Sequence, residues 1–276
     1  MTTPAPAAFD QAKPAPRQAP PGVPVRLAWA QASEAGMRAT NQDAIGEARD
    51  GDLACFVIAD GTGGHHGGEV AARIAVDAVL GAFRAAPAFG APALLAYAAL
   101  ATTHVAQARR ADPQLAAMST TVAALLIDER AARAVWAHLG DSRVYLFRDS
   151  RVHAATRDHS LAQQLVDAGY ASAAELRQHP QRHVLLAAVG AEGNLAAAAS
   201  DEVVLEAGDA LLVCSDGLWE SVLDDEMAQL LSASAASADW LAALCARADC
   251  AAGAAGKARD NYSAYAIRVE RREAQA

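Results

Sequence analysis

Apolar runs that meet an aspartate constrain the fold of this chain more than any other feature. Residues 53–59 read Leu-Ala-Cys-Phe-Val-Ile-Ala and lead directly into Asp60. Residues 210–214 lead in the same way toward Asp216, and Asp260 stands just before a third strand-like stretch. Short apolar runs bounded by turn residues are typical of buried strands. The sequence therefore predicts buried strands with carboxylates at their ends.

Any one of these acidic motifs has a simpler explanation, since Asp-Gly is a common turn dipeptide and a turn often follows a strand. The complete set favours a different interpretation: Asn41-Gln42-Asp43, Asp60-Gly61-Thr62-Gly63-Gly64, Ser215-Asp216-Gly217 and Asp260-Asn261. Several uncompensated carboxylates in one place are costly unless a cation balances them. Mg²⁺ and Mn²⁺ prefer such oxygen ligands, so the motifs predict a site for a hard divalent cation.

The composition argues against several classes of protein. The chain has 276 residues, which suits one large domain, and its hydrophobic content of 53% is sufficient for a core. A net charge of −9 argues against nucleic-acid binding and against attachment to an anionic membrane surface. The four cysteines show no disulfide or metal-ligand spacing, and we find no signal peptide or membrane span. We therefore expect a cytoplasmic protein with neither a nucleic-acid nor a membrane partner.

The organisation along the chain indicates one domain with two tails. Residues 1–25 contain seven of the eleven prolines and are predicted to be disordered. The folded domain is predicted to cover 26–270, and residues 271–276 are predicted to form a short C-terminal tail. Strands are predicted at 25–31, 53–59, 121–127, 133–139, 143–148, 202–205, 209–214 and 262–269. Helices are predicted at 67–85, 91–110, 160–168, about 173–178, 224–232 and 237–250.

Two local patterns support these assignments. Ser160 and Gln163 form a capping-box pattern at the start of one helix. Trp240, Leu244 and Ala248 share one face of the last long helix, which predicts a core stripe. Because helices arrive in pairs between groups of hairpin-like strands, we expect an α+β fold with helices outside antiparallel sheets.

Seven motifs in a fixed order then point to a known family. They are Arg38 with Asn41-Gln42-Asp43, Asp60-Gly61-Thr62-Gly63-Gly64-His65, Ser119-Thr120-Thr121, Gly140-Asp141-Ser142-Arg143, Asp158-His159-Ser160, Ser215-Asp216-Gly217-Leu218-Trp219 and Asp260-Asn261. In this order the chain resembles the metal-dependent Ser/Thr protein phosphatases of the type 2C family, in their compact bacterial form. The resemblance covers residues 26–270. It implies a four-layer α-β-β-α sandwich, in which helix pairs flank a central antiparallel β-sandwich.

The resemblance also implies a dinuclear site for Mn²⁺ or Mg²⁺. Asp60 would bridge both ions, and the backbone carbonyl of Gly61 would complete one coordination sphere. Asp216 and Asp260 would bind the second ion, and Asp43 would act directly or through a bound water. The ions would supply a bridging hydroxide that attacks phosphorus without a phosphoenzyme.

Two further residues are assigned by the same resemblance. Arg38 would grip the substrate phosphate with its planar guanidinium. Asp141 would help to hold a third, weakly bound ion, although Gly140-Asp141-Ser142 also has the pattern of an ordinary hairpin turn. Asp60 and Arg38 are thus the predicted catalytic residues.

The predicted site loop includes Thr62, Gly63, Gly64, His65 and Asn261. Thr62 departs from the family pattern, because relatives carry a histidine proposed as a general acid, or a methionine, at this position. No general acid is therefore predicted there, and His65 is expected to form hydrogen bonds in the loop without binding metal.

Three other matched features are predicted to be structural. The Asp158-His159-Ser160 motif is expected to cap a helix and not to form a catalytic triad. Trp219 is expected to pack in the core beneath the site. Asn261 is expected either to orient a ligand or to turn the chain.

These observations predict a metal-dependent phosphatase acting on phosphoserine and phosphothreonine. The expected partners are a phosphoprotein and an opposing Ser/Thr kinase or its targets, and we expect a monomer. Two alternatives remain open: a pseudophosphatase that binds a phosphorylated partner, and a hydrolase of another phosphate ester.

Overall fold

Two antiparallel sheets form the centre of the molecule. The computed structural model describes residues 22–62, 67–191, 196–255 and 259–272. In spatial order, the five-stranded sheet contains β1 (Val25–Glu34), β12 (Tyr262–Arg271), β11 (Ala210–Cys214), β7 (Arg143–Arg148) and β8 (Arg151–Ala155). The seven-stranded sheet contains β10 (Val203–Val204), β6 (Arg133–Leu139), β5 (Val122–Asp128), β3 (Leu53–Thr62) and β2 (Asp43–Asp50), with β4 (Ser119–Thr120) beside β3 and β9 (Ala198–Ala199) beside β6.

The helices lie on the two outer faces of these sheets. In chain order they are α1 (Gly67–Ala85), α2 (Ala91–Ala111), α3 (Leu161–Asp167), α4 (Asp216–Trp219), α5 (Asp224–Ala233) and α6 (Ser237–Ala255). The pair α1 and α2 covers the seven-stranded sheet, while α5 and α6 cover the five-stranded sheet.

Alternation of side chains along the central strands explains the layers. Strand β3 is apolar on both faces, because a strand sends successive side chains to opposite sides. Phe56 and Ile58 pack in the core between the two sheets, whereas Cys55 and Val57 pack in the core beneath α1 and α2. The predicted four-layer α-β-β-α sandwich is therefore confirmed.

Strand β12 has the same two-sided pattern. Tyr265 and Ile267 contribute to the core between the sheets, and Ala264 and Ala266 face the helices. The small alanines leave room for Trp240, which is fully buried in that outer core. The predicted apolar face of this helix is confirmed, since Leu244 and Ala248 are buried in the same cluster; together these positions anchor α6.

Two differences from the predicted helices have physical causes. The prediction of a helix at about 173–178 is wrong, because this segment contains only one 3₁₀ turn, Leu176–Gln178. His179 is extended and precedes Pro180, and a residue before proline is disfavoured in helical conformation. At α3 half of the capping box forms: the Ser160 hydroxyl accepts a hydrogen bond from the Gln163 amide at 3.2 Å, while the Gln163 side chain bonds Asp167 instead.

Strands β2 and β8 were not predicted, and both lie at sheet edges. Strand β2 contains Gly46, where an added Cβ would lie 2.6 Å from the Leu80 side chain of α1. The glycine that weakens the strand pattern is thus needed for the helix to approach the sheet.

Ordered structure begins before position 26. The Gly22 amide donates to the Ala131 carbonyl at 2.9 Å, and Val25 is buried in the core between the sheets. Residues 1–21 lie outside the described part of the chain, so the predicted tail stays a prediction. None of the helices in the described ranges is long and apolar enough to cross a membrane.

Candidate metal centre

The predicted aspartates meet at one end of the sandwich. Antiparallel pairing of β2 with β3 places Asp43 opposite Asp60. Asp216 begins α4 directly after β11, and Asp260 lies just before β12, the neighbour of β11. The strand ends form a cavity of about 330 Å³, which is lined by Arg38, Gln42, Asp60, Gly61, Thr62, Thr121, Asp141, His183, Leu185, Asp216, Asp260 and Asn261.

Glycines allow the backbone segments of the cavity to approach one another closely. A Cβ added to Gly61 would lie 2.0 Å from the Gly68 carbonyl oxygen, and one added to Gly217 would lie 2.1 Å from the Asn261 carbonyl oxygen. Both Asp-Gly pairs therefore do more than turn the chain, because any larger residue would separate the strand ends that carry the aspartates.

Burial and mutual repulsion raise the pKa values of the central carboxyl groups. Burial, followed by the charges of Asp43, Asp216 and Asp141, raises the pKa of Asp60 well above its usual range. Burial, followed by the charge of Asp216, does the same for the pKa of Asp141. Such a group of carboxylates holds its full negative charge only when a cation compensates it.

Asp43 is buried and only partly satisfied. Its Oδ2 accepts a hydrogen bond from the Ser215 hydroxyl at 2.8 Å, whereas its Oδ1 is buried with no hydrogen-bond partner among the described residues. Burial raises the pKa of this carboxyl group to about 7, although the hydrogen bonds from Ser215 and Ser263 oppose the shift. A buried carboxylate oxygen without a donor is suited to a bound cation or water.

Arg38 lies in the predicted place but has a different partner from the one expected. Its Nε and Nη2 donate to the two carboxylate oxygens of Asp260 at 2.8 and 2.7 Å. This hydrogen bonding, together with the charge of Asp260, raises the pKa of the guanidinium. The pair is exposed at the cavity mouth, with 59% of the Arg38 side chain accessible.

The backbone of Asp141 is fixed by Trp219, the residue predicted to pack in the core beneath the site. The Trp219 indole Nε1 donates to the Asp141 carbonyl at 2.8 Å, and Trp219 is 1% exposed. The guanidinium of Arg143 lies 3.4 Å from the centroid of the Trp219 ring and forms a buried bidentate pair with Asp158. This packing fixes the turn and leaves the Asp141 carboxyl group facing the cavity.

The matched motifs outside the carboxylate group form turns and strand contacts. Ser160 caps α3, as predicted for its motif. Asn261 accepts from the Gln42 amide and donates to the Ala35 and Thr40 carbonyls, so its side chain ties the Arg38 loop to β12.

The predicted site loop is described only in part. Thr62 lies in the cavity wall, where its hydroxyl lies 2.7 Å from that of Ser119. Gly63, Gly64 and His65 lie outside the described residues.

His183 is a cavity residue that the sequence motifs did not identify. Its Nδ1 lies 3.8 Å from Asp216 Oδ2 and 3.6 Å from Glu220 Oε1. The nearby carboxylates, Asp216 first and then Glu220, raise the pKa of this imidazole. The only sequence signal is the four-residue spacing of Asp216 and Glu220, which places two carboxylates on one side of a helical turn.

Known proteins are similar to this chain in sequence and in fold. The chain is 34% identical over 207 residues to the serine/threonine protein phosphatase PstP of Mycobacterium tuberculosis strain H37Rv. This match covers 74% of the present chain but only 39% of the length of that relative. A crystal structure of the M. tuberculosis phosphatase PstP/Ppp matches with a TM-score of 0.76 and 31% identity, covering 89% of this chain and 99% of that one. The PstP catalytic domain in complex with two manganese ions matches with a TM-score of 0.75 and 28% identity, covering 89% and 99%.

The family match extends over most of the domain. Residues 31–254 match the family described as Protein phosphatase 2C, and this range includes Arg38, Asp43, Asp60, Asp141 and Asp216. Asp260 lies beyond the matched range but lines the same cavity. On the evidence of its fold, its cavity and this match, the chain belongs to the protein phosphatase 2C family.

Proposed function

We propose that the protein is an Mn²⁺- or Mg²⁺-dependent phosphatase that hydrolyses phosphoserine and phosphothreonine in other proteins. One observation carries the proposal: carboxylates from distant strands line a single cavity, and the described residues around it supply too little positive charge to compensate them. The manganese ions in the PstP catalytic domain, a related structure, support the same assignment.

The residues present fit a pair of hard cations. Asp60 lies between the other carboxylates and is assigned as the bridging ligand, with the Gly61 carbonyl beside it. Asp216 and Asp260 are assigned to one of the ions, and the orphaned oxygen of Asp43 is suited to a bound water. Such ions, when bound, lower the pKa of a shared water and offset charge on the phosphoryl oxygens.

Arg38 is assigned to the phosphate of the substrate. In the structure its guanidinium pairs with both carboxylate oxygens of Asp260. Because a carboxylate that binds a cation no longer needs this partner, the two donors of Arg38 become available for two phosphate oxygens. Thr62 carries no group that titrates near neutral pH, so we assign no general acid at that position.

The setting of the enzyme is part of the proposal. Among the described residues the four cysteines are free, and Cys55 and Cys214 are buried, as expected for a cytoplasmic protein. We assign phosphoproteins as substrates, with an opposing Ser/Thr kinase or its targets as partners. Asp141 is assigned to a third, weakly held ion, because its buried carboxyl group faces the cavity beside Asp216.

Hydrolysis of a phosphothreonine peptide by the purified chain, with Mn²⁺, with Mg²⁺ and with a chelator, tests the proposal. A phosphatase requires an added cation for turnover. Peptide binding without turnover under every condition would instead indicate a pseudophosphatase. Turnover of a small phosphate ester without turnover of any phosphopeptide would indicate a different substrate class.

A further inference from the structure

A mixed group of nitrogen and oxygen ligands lies at the edge of the cavity. Suitable ligand atoms of His183, Asp216 and Glu220 all lie within 4.8 Å of one another. Asp141 is not a member of this group among the described residues, so the cluster differs from the third ion site assigned to that aspartate.

The spacing of the three groups is close to that of a metal site. Ligand atoms about 2.1 Å from a tetrahedral ion lie about 3.4 Å apart. The His183 nitrogen is 3.8 Å from the Asp216 oxygen and 3.6 Å from the Glu220 oxygen. The His183 side chain is 53% exposed, so a small rotation can bring its nitrogen closer to both oxygens.

The two carboxylates are held in place by the fold. Asp216 begins α4 and Glu220 is its C-cap residue, so one turn of helix presents both on the same side. Their side chains are only 16% and 17% exposed, respectively. Most of the adjustment on binding an ion therefore falls on the histidine.

Arg182 competes for one of these ligands, since its Nε lies 2.8 Å from Glu220 Oε1. A carboxylate has two oxygens, and a ligating carboxylate is commonly held by a second hydrogen-bonding group. Arg182 also donates to the His179 carbonyl at 3.3 Å, which keeps its guanidinium beside the site when a cation binds Glu220. Arg182 Nε and His183 Nδ1 lie beside the same Glu220 oxygen, so on ion binding Glu220 would keep one oxygen toward the arginine and turn the other toward the ion.

We propose that His183, Asp216 and Glu220 form a binding site for a transition-metal ion such as Zn²⁺, separate in ligand chemistry from the oxygen-only sites. Imidazole suits Zn²⁺, Fe²⁺ and Ni²⁺, whereas Mg²⁺ takes oxygen ligands and keeps its waters. The inference rests on the proposed function in one respect, because Asp216 is shared with the ion pair assigned there.

A consequence follows for the segment that carries His183. The His183 imidazole and the Asp216 carboxylate come from separate parts of the chain, the first from the irregular segment after the 3₁₀ turn and the second from α4. An ion bound by both cross-links this segment to the floor of the cavity. Occupancy of the site then couples the position of the segment to the catalytic carboxylates.

Calorimetric titration of Zn²⁺ into the full chain, in saturating Mg²⁺ to fill the oxygen sites, tests the proposal. We expect one Zn²⁺ ion to bind, and His183→Asn and Glu220→Gln each to weaken that binding at least about tenfold, since even losing a supporting group has this effect. His153→Asn, which removes an exposed histidine of β8, is the matched control and should bind Zn²⁺ as the natural chain does. Zn K-edge absorption should show imidazole scattering that His183→Asn removes.

Other outcomes overturn the inference without touching the proposed function. They are Zn²⁺ binding that His183→Asn leaves unchanged, binding lost only when His65 and His66 are replaced, and no Zn²⁺ binding in saturating Mg²⁺. The proposed function is judged separately by cation-dependent hydrolysis of phosphopeptide by the natural chain, and absence of that hydrolysis would contradict it alone.

Discussion

Two groups of buried charge lie side by side in this molecule, and within the described residues only one of them contains its own counter-charge. Asp158 and Arg143 form a bidentate pair at 2.7 Å for both bonds, with Trp219 stacked against the guanidinium. The neighbouring Asp60 and Asp141 are surrounded mainly by other carboxylates. We interpret the first group as charge kept for structure, and we propose that the second group gains its counter-charge from a bound cation.

The largest expected effect on stability comes from breaking the buried Arg143–Asp158 ion pair. Asp158→Asn leaves the buried Arg143 without its counter-charge, and we expect the free energy of unfolding to fall by about 3–5 kcal/mol. Urea denaturation with a chelator measures it. Asp167→Asn is the matched control, because the Arg157–Asp167 pair is exposed and should contribute no more than about 1 kcal/mol. A loss for Asp158→Asn no larger than the control would show that the buried pair has no special structural role.

Among the carboxylates that line the cavity, the largest expected effect of a substitution is on activity. Asp216→Asn removes a carboxylate assigned to the ions, and we expect kcat at saturating Mn²⁺ to fall at least about a hundredfold, or roughly 2.7 kcal/mol in the barrier. The thermal midpoint should stay near that of the natural chain. Asp77→Asn, at an exposed position in α1, should leave kcat unchanged. Near-natural activity of Asp216→Asn would mean that the metal assignment is wrong.

The same contrast predicts an increase in stability at a site residue. Asp141→Asn removes a buried carboxyl group from beside other acidic residues, so we expect the metal-free protein to gain on the order of 1 kcal/mol. Saturating Mn²⁺ should stabilise the natural chain more than this variant, because the variant has lost a ligand. Chemical denaturation with chelator and with Mn²⁺ gives both values. A loss of stability in both conditions, with full phosphopeptide hydrolysis, would identify Asp141 as a turn residue only.

Sequence reasoning predicted Asp60, Asp216 and Asp260 at strand ends because each is marked locally. Asp60 and Asp216 follow apolar runs and Asp260 precedes one, so their placement at strand ends follows from the strands themselves. The order of helices and hairpin-like strands predicted helices outside antiparallel sheets, whereas the four layers were predicted from the resemblance to the family. Strand β2 gave no such signal, since Gly46 is set by the approach of α1 and not by strand propensity.

Contacts between distant segments could not be predicted from local patterns. The Arg143–Asp158 pair joins residues 15 positions apart, and neither residue type indicates burial by itself. His183 belongs to an irregular segment with no periodicity, so its position beside Asp216 depends on how that segment packs. Arg38 lines the cavity, but its pairing with Asp260, 222 positions further along the chain, has no local signal.

A pair of stacked histidines borders the structural ion pair and gives the smallest expected effect. His138 and His159 have ring centroids 4.6 Å apart and nearly parallel planes. His138 Nε2 lies 2.7 Å from the Arg157 carbonyl oxygen, to which it can donate, and His159 Nδ1 accepts from the Gly140 amide at 3.2 Å. Burial lowers the pKa of His138, and burial followed by the charge of His138 lowers the pKa of His159.

The sign of the pH dependence follows from these lowered pKa values. The two histidines take up protons in the unfolded chain as the pH falls through about 6.5, while the folded chain resists this uptake, so their contribution to the free energy of unfolding should decrease below that pH. Protonation of His159 would also remove the acceptor for the Gly140 amide. The raised pKa values of Asp43, Asp60 and Asp141 act in the opposite sense, so the contribution of the histidines is measured as the difference in slope between the natural chain and His159→Gln, by urea denaturation between pH 7.5 and about 5.5. His153→Gln is the control, because His153 is exposed on β8 and should keep the natural slope. If His159→Gln leaves the slope of the free energy of unfolding against pH unchanged, other groups cause the acid sensitivity. The stacked histidines beside the Arg143–Asp158 pair would then have no effect on stability.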